Sequence, residues 1–214
     1  MRYVRSLRLT LLALTFLALL ATLANAQQSR IVVGPMAGVS FSTLVGDDIG
    51  AGQFKGSRTG FVAGGFVSFN ANTHVALEPQ LLYVQKGATW SDGAYRVEYD
   101  LDYIEVPLLI KGRYWFGPEA RPFVLDGFGG PAIAFNVHCS LATPDFDSPC
   151  GDALDMKTAE LSVLFGAGLE YFGFSFQARY DLSMTNAFAS TGSGEPDARN
   201  RSWMLTLGYA IPVH

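Results

Sequence analysis

The sequence predicts an all-β protein, an eight-stranded antiparallel up-and-down transmembrane β-barrel. Three observations carry the prediction: apolar residues recur with period two in about eight segments, the connections alternate between long and short, and the chain opens with a secretory leader.

The leader comes first. Arg2, Arg5 and Arg8 precede an apolar run from Leu9 to Leu23 that ends in the small-residue site Ala24-Asn25-Ala26. That pattern marks residues 1–26 as a signal peptide and 27–214 as the barrel domain. The competing reading, a membrane helix, needs ~20 apolar residues, and this run is shorter. Removing the leader takes away three arginines and no acid, which moves the formal charge from -4 to about -7. An acidic domain argues against a nucleic-acid partner. Hydrophobic residues make up 49% of the chain and charged residues only 16%, yet no segment after the leader offers eighteen consecutive apolar residues. Hydrophobicity spread in short pieces suits a closed barrel, the one sheet that pairs every backbone group inside a bilayer.

The strands follow in order. In the first, Val33, Pro35, Ala37, Val39 and Phe41 alternate with Gly34, Met36, Gly38, Ser40 and Ser42. The second sets Phe61, Ala63, Gly65, Val67 and Phe69 against Gly60, Gly64, Ser68 and Asn70, with Val62 and Phe66 as exceptions. The third opposes Val75, Leu77, Leu81 and Tyr83 to Glu78, Gln80 and Lys86; the fourth opposes Ile104, Val106, Leu108 and Ile110 to Tyr103, Glu105, Lys111 and Arg113. The fifth sets Leu125, Ile133 and Phe135 against Asp126, Gly130 and Asn136, and the sixth sets Leu161, Val163, Phe165 and Leu169 against Glu160, Ser162 and Glu170. In the seventh, Phe174 to Met184 interleaves apolar residues with Ser175, Gln177, Arg179, Asp181 and Ser183. The eighth alternates Trp203, Leu205, Leu207 and Tyr209 with Ser202, Thr206 and Gly208.

The connections sort by length. Leu44 to Ser57, Gly87 to Glu98, His138 to Lys157 and Ala187 to Asn200 read as long loops, and Asn70 to Thr73, Phe116 to Arg121 and Phe172-Gly173 read as short turns. Outer-membrane barrels have short periplasmic turns and longer external loops. Cys139 and Cys150 lie within the third long loop and read as a disulfide in an oxidising compartment; a metal or nucleophile site is the alternative, with His138 as its nearest further ligand.

If the apolar set faces lipid, Glu78, Lys86, Glu105, Lys111, Arg113, Asp126, Glu160, Glu170, Arg179 and Asp181 gather in a lumen that eight strands leave just wide enough for side chains to fill. Mixed signs there should pair and close the bore. A soluble two-layer β-protein would reverse the two faces, and alternation alone does not separate these readings. No catalytic set, cofactor motif or metal site is expected: His74, His138 and His214 fall at a turn, a loop base and the chain end, and Gly166-Ala167-Gly168 precedes no helix. A hydrolase using His138 with Ser140, a small-solute pore and a soluble barrel holding an apolar ligand are the competing functions.

The stretches Leu77-Glu78-Pro79-Gln80-Leu81-Leu82-Tyr83-Val84-Gln85-Lys86-Gly87, Asp102 to Lys111, Arg121 to Gly127 and Phe165 to Tyr171 together resemble the PorT-like "porin family" outer-membrane β-barrel domain of Bacteroidota. The likeness covers nearly all of the chain after the leader. It implies an outer-membrane location among lipids, an eight-stranded barrel, insertion by the outer-membrane assembly machinery, and, by analogy with the namesake, a surface or secretion partner. It implies no defined activity. One departure stands out: such barrels often end on an aromatic residue, whereas this chain ends Ile211-Pro212-Val213-His214, leaving Tyr209 as the substitute.

Overall fold

The computed structural model describes residues 31–45, 56–92, 95–118, 123–143, 146–149, 158–185 and 199–213, with side chains described outside 90–99 and 141–149. The leader and Cys150 lie outside the described residues. Period-two patterning yields ten strands: β1 Ile31–Val45, β2 Gly56–Asn70, β3 Val75–Asp92, β4 Tyr95–Phe116, β5 Phe123–Thr143, β6 Phe146–Pro149, β7 Ala159–Tyr171, β8 Phe174–Ser183, β9 Arg199–Tyr209 and β10 Ile211–Val213. Eight of them, all except the short β6 and β10, form an antiparallel meander, and β9 returns to pair with β1, closing an eight-stranded barrel. β6 adds to the far end of β5, while β10 carries the β9 pairing on along β1, from Met36 opposite Gly208 to Val33 opposite Ile211.

The stagger of this closure can be read from the register. Partners followed round the wall run Ile31, Phe69, Leu77, Ile110, Gly129, Phe165, Tyr180, Trp203 and then Phe41, ten residues further along β1 than the start. With about 3.3 Å per residue and about 4.7 Å between strands, that shear tilts the strands by about 40° and leaves a narrow interior.

Burial is inverted relative to a water-soluble protein. Ile110, Leu81 and Leu161 are 62%, 59% and 53% exposed, whereas Arg179 and Glu105 are 0% exposed. Exposing many such side chains to water would forgo ~1.5–3 kcal/mol for each; lipid removes that cost. Aromatic side chains ring the end that carries the short turns. Phe116, Phe123 and Tyr171 stack in sequence at 5.5 and 4.1 Å between centroids, Tyr114 lies beside Phe116, and Phe174 meets Tyr209 at 5.1 Å. Such rings suit the membrane–water boundary, where an amphipathic ring is half wetted.

The short turns follow local chemistry. Phe172 and Gly173 both have positive φ, 53° and 80°, the pairing that a two-residue hairpin requires to match strand twist. At the β2–β3 turn the Asn72 carbonyl side chain accepts from the backbone N–H groups of His74 and Val75, each at 2.8 Å.

Two expected loops are shorter than the composition suggested. β3 runs to Asp92 and β4 starts at Tyr95, so pairing continues through most of the segment Gly87 to Glu98, with Thr89 opposite Glu98 and Trp90 opposite Val97. β5 likewise persists to Thr143, held by β4 on one side and β6 on the other. Backbone pairing with a neighbouring strand overrides weak local β-propensity here. The β3–β4–β5 side of the wall therefore extends furthest on the long-connection side.

Candidate functional site

The most chemically loaded region is the lumen. Inward positions of each strand are fixed by the alternation, so every second residue of β3, β4, β7 and β8 enters the interior whatever its polarity. All ten charged residues marked by that alternation lie on the inner face, eight of them buried; Glu170 and Arg113 sit at the mouth and are partly exposed. Two ionic clusters form, one toward each end.

The cluster toward the long connections is centred on Lys86 of β3. Its Nζ lies 2.8 Å from Glu105 and donates to Asp181 at 2.5 Å, and it stands 5.5 Å from the centre of the Tyr103 ring. Beside it, Glu160 accepts from the Tyr103 hydroxyl at 2.6 Å, from Asn200 Nδ2 at 3.0 and 3.1 Å, and from Ser183 at 3.2 Å. Charge-assisted bonds of this kind are roughly twice as strong as neutral ones. They tie β3, β4, β7, β8 and β9 together across the bore.

The cluster toward the short turns is centred on Lys111 of β4. Its Nζ is 2.9 Å from Glu78, 3.9 Å from Asp126 and 4.0 Å from Glu170. It also lies 5.6 Å from the Phe128 ring centre and 6.0 Å from that of Phe66. Arg113 reaches Glu170 at 3.8 Å and donates to Asn70 and to Ser68. Asp126 is set over Gly168: a Cβ built on that glycine would meet the carboxylate oxygens at 2.7 and 2.8 Å.

Arg179 lies between the clusters. Its Nη1 donates to Gln80 Oε1 at 2.8 Å, and Gln80 Nε2 donates in turn to Glu78 at 2.8 Å. The guanidinium is therefore coupled to the Lys111 cluster through a neutral amide, with Glu105, Asp181 and Glu78 within electrostatic reach. Apolar groups also pack inside the barrel. Met36, Val62, Phe66, Leu82, Val84 and Met204 pack on the β1–β2–β3–β9 side, and Leu109, Phe128, Ala132 and Leu164 pack opposite. Val62 and Phe66, the exceptions to the polar alternation of β2, belong to the first of these groups.

Sequence reasoning did not find Asn200, which it placed in the loop Ala187 to Asn200. The parity of Ser202 and Thr206, continued one step back, points to it. The other named residues fall elsewhere. His74 is exposed at the β2–β3 turn, His138 is exposed near the end of β5, and Cys139 lies beside it. Among the described residues no group of three or more His, Cys, Asp or Glu side chains is placed to hold a metal ion.

The profile of the outer membrane protein beta-barrel domain family matches residues 25–189. The chain belongs to that family. As an outer membrane protein β-barrel domain, it places its apolar wall against lipid in a bacterial outer membrane and its charges inside. Comparison with solved structures finds Ail, the attachment invasion locus protein of Yersinia pestis, at 15% identity over 86% of this chain and 100% of Ail, with a TM-score of 0.46. Neisserial surface protein A matches at 16% identity over 86% of this chain and 97% of its own, with a TM-score of 0.44. The N-terminal β-barrel domain of Pseudomonas aeruginosa OprF matches at 14% identity over 86% of this chain and 100% of its own, with a TM-score of 0.41. A comparison with curated protein sequences found no match.

Proposed function

We propose that this outer-membrane β-barrel domain is non-enzymatic: its lumen is closed by its own side chains, and it acts by presenting its long connections outside the cell, for membrane integrity or for contact with a surface or secretion partner. The observation that carries the reading is the pair of interior ionic clusters, which span the bore from β3 and β4 to β7, β8 and β9. A water path would have to break pairs whose loss leaves buried ions uncompensated, at ~3–5 kcal/mol for each partner removed. The test is a planar-bilayer recording of the purified protein. Silence, together with heat-modifiable migration on a gel, supports the plugged barrel; steady single-channel steps would replace it with a narrow solute channel.

Three further features belong to this proposal. Residues 1–26 act as a cleaved leader, so amino-terminal sequencing of protein from the outer membrane should begin at Gln27. The likeness of Leu77 to Gly87 and Asp102 to Lys111 to PorT-like domains supports a PorT-like member of the family, inserted by the outer-membrane assembly machinery with Tyr209 near its closing signal. Cys139 and Cys150 form a disulfide. In support, no free cysteine occurs among the described residues, and the β5–β6 register pairs Ser140 with Pro149, each the sequence neighbour of a cysteine on the side away from the hairpin tip.

A further inference from the structure

The interior ion pairs use only part of the buried polar surface. Lys86 takes one oxygen from each of its carboxylates, Glu105 Oε2 and Asp181 Oδ2, and leaves Glu105 Oε1 and Asp181 Oδ1 with no hydrogen-bond donor in the protein. Arg179 gives Nη1 to Gln80, while its Nε and Nη2 find no acceptor in the protein. Asp181 stands opposite Ser202 in the β8–β9 register, and the Ser202 hydroxyl is without a partner too. Each of these four side chains is at most 1% exposed. Glu105 and Asp181 are held together by one Nζ, Arg179 and Asp181 share the inner face of β8, and both carboxylates lie within electrostatic reach of the guanidinium. Unpartnered donors and unpartnered acceptors therefore meet in one region of the bore, between β4, β8 and β9.

The mixture of groups selects the occupant. A cation would approach two guanidinium N–H groups, and an anion would approach two carboxylates, so each is opposed by half of the site. Water both donates and accepts, and buried water characteristically makes two to four bonds to polar groups that the protein leaves unpaired. It also bridges charged groups set too far apart for a direct bond. One step further toward the short turns, Gln177 stands opposite Thr206, and Gln177 Oε1 and Thr206 Oγ1 are likewise buried without a protein partner. This pair carries no charge to attract an ion. Between the two places Met204 packs with Leu82 and Val84.

We infer that the lumen holds bound water at two built sites: one joining Arg179 Nε and Nη2 to Glu105, Asp181 and Ser202, and a smaller one between Gln177 and Thr206. Arg179 thus reaches the carboxylates of the Lys86 cluster through water, in addition to its direct link to Gln80. Met204 separates the sites, so the water is held in place and forms no through path. The inference deepens the closed-lumen reading and rests on it.

The test uses crystals of the mature protein grown from rubidium bromide, in which either ion reveals itself by anomalous scattering. The expected result is density about 2.7–3.2 Å from Arg179 Nε or Nη2 and from a carboxylate oxygen, with no anomalous signal. A rubidium or bromide peak at that position, or no density within hydrogen-bond distance of Nε and Nη2, overturns the inference. A second measurement follows urea unfolding of Thr206→Val in detergent. Removing a hydroxyl bonded to water should lower the midpoint by roughly 0.3–1 M, whereas removing a dry, unpaired one would leave it unchanged or raise it. An unchanged or raised midpoint, in protein that still shows heat-modifiable migration, therefore overturns the Gln177–Thr206 site. Failure of the closed-lumen reading would show separately, as steady single-channel conductance of the wild type.

Discussion

The carboxylate of Asp126 occupies the space in which a side chain at Gly168 would stand, since a methyl built there would lie 2.7 Å from one of its oxygens. The two residues face each other across the β5–β7 pair, Asp126 opposite Gly168. Replacing Gly168 by alanine should therefore push Asp126 away from Lys111 and destabilise the barrel by about 1–3 kcal/mol. At Gly64 the same methyl would lie 2.0 Å from the Leu81 carbonyl oxygen, which is backbone and has less room to move. Urea unfolding in detergent should rank Gly64→Ala as the more damaging change.

Lys86→Met leaves Glu105 and Asp181 buried without their shared cation, and a loss of ~3–5 kcal/mol is expected. Adding Glu105→Gln and Asp181→Asn to that variant should restore much of the stability. If the triple variant is no more stable than Lys86→Met in the same urea titration, Lys86 does not act through this pair of carboxylates.

Arg179→Leu removes the donor to Gln80 and leaves the excess of lumen acids larger. Among the described residues, six carboxylates (Glu78, Glu105, Asp126, Glu160, Glu170, Asp181) already face four cations (Lys86, Lys111, Arg113, Arg179). Thermal stability should fall, and any leak that appears in bilayer recordings should prefer cations over anions, since acidic linings select for them. An anion-preferring leak would contradict this charge balance.

Gly173→Ala tests the two-residue turn. Its φ of 80° is one that an L side chain adopts at a cost, and the added Cβ would also press on the Tyr209 ring at 3.2 Å. A destabilisation of about 1 kcal/mol or more is expected, read as a lower urea midpoint with an unchanged slope.

For the cysteines, the expected result is that unfolded but unreduced protein resists thiol labelling. Labelling of both Cys139 and Cys150 without reductant would refute the disulfide.

The strand faces were legible because the pleat leaves no freedom: once Glu105, Lys111 and Arg113 share a parity, they share a side of the wall. Val62 and Phe66 read as exceptions because alternation reports polarity, whereas the lumen also holds an apolar group on the β1–β2–β3–β9 side. Loop lengths were less legible. Ser, Asp and Gly between Gly87 and Glu98 look like a loop locally, but hydrogen bonding to a partner strand extends β3 to Asp92. The specific partners inside were the least legible, because the reach of a lysine or arginine across the bore depends on the shear. Arg179 meets Gln80, ninety-nine residues away, and no local pattern encodes that.

The ten-residue stagger also makes the first strand depend on the last. β1 is stitched to β2 on one edge and to β9 and β10 on the other, so a nascent chain that lacks Arg199–Val213 has two raw edges that acyl chains cannot satisfy. Completion is thus all-or-nothing: the zipper closes only when β9 and β10 reach β1, and a chain cut short before them has no smaller cylinder to settle into.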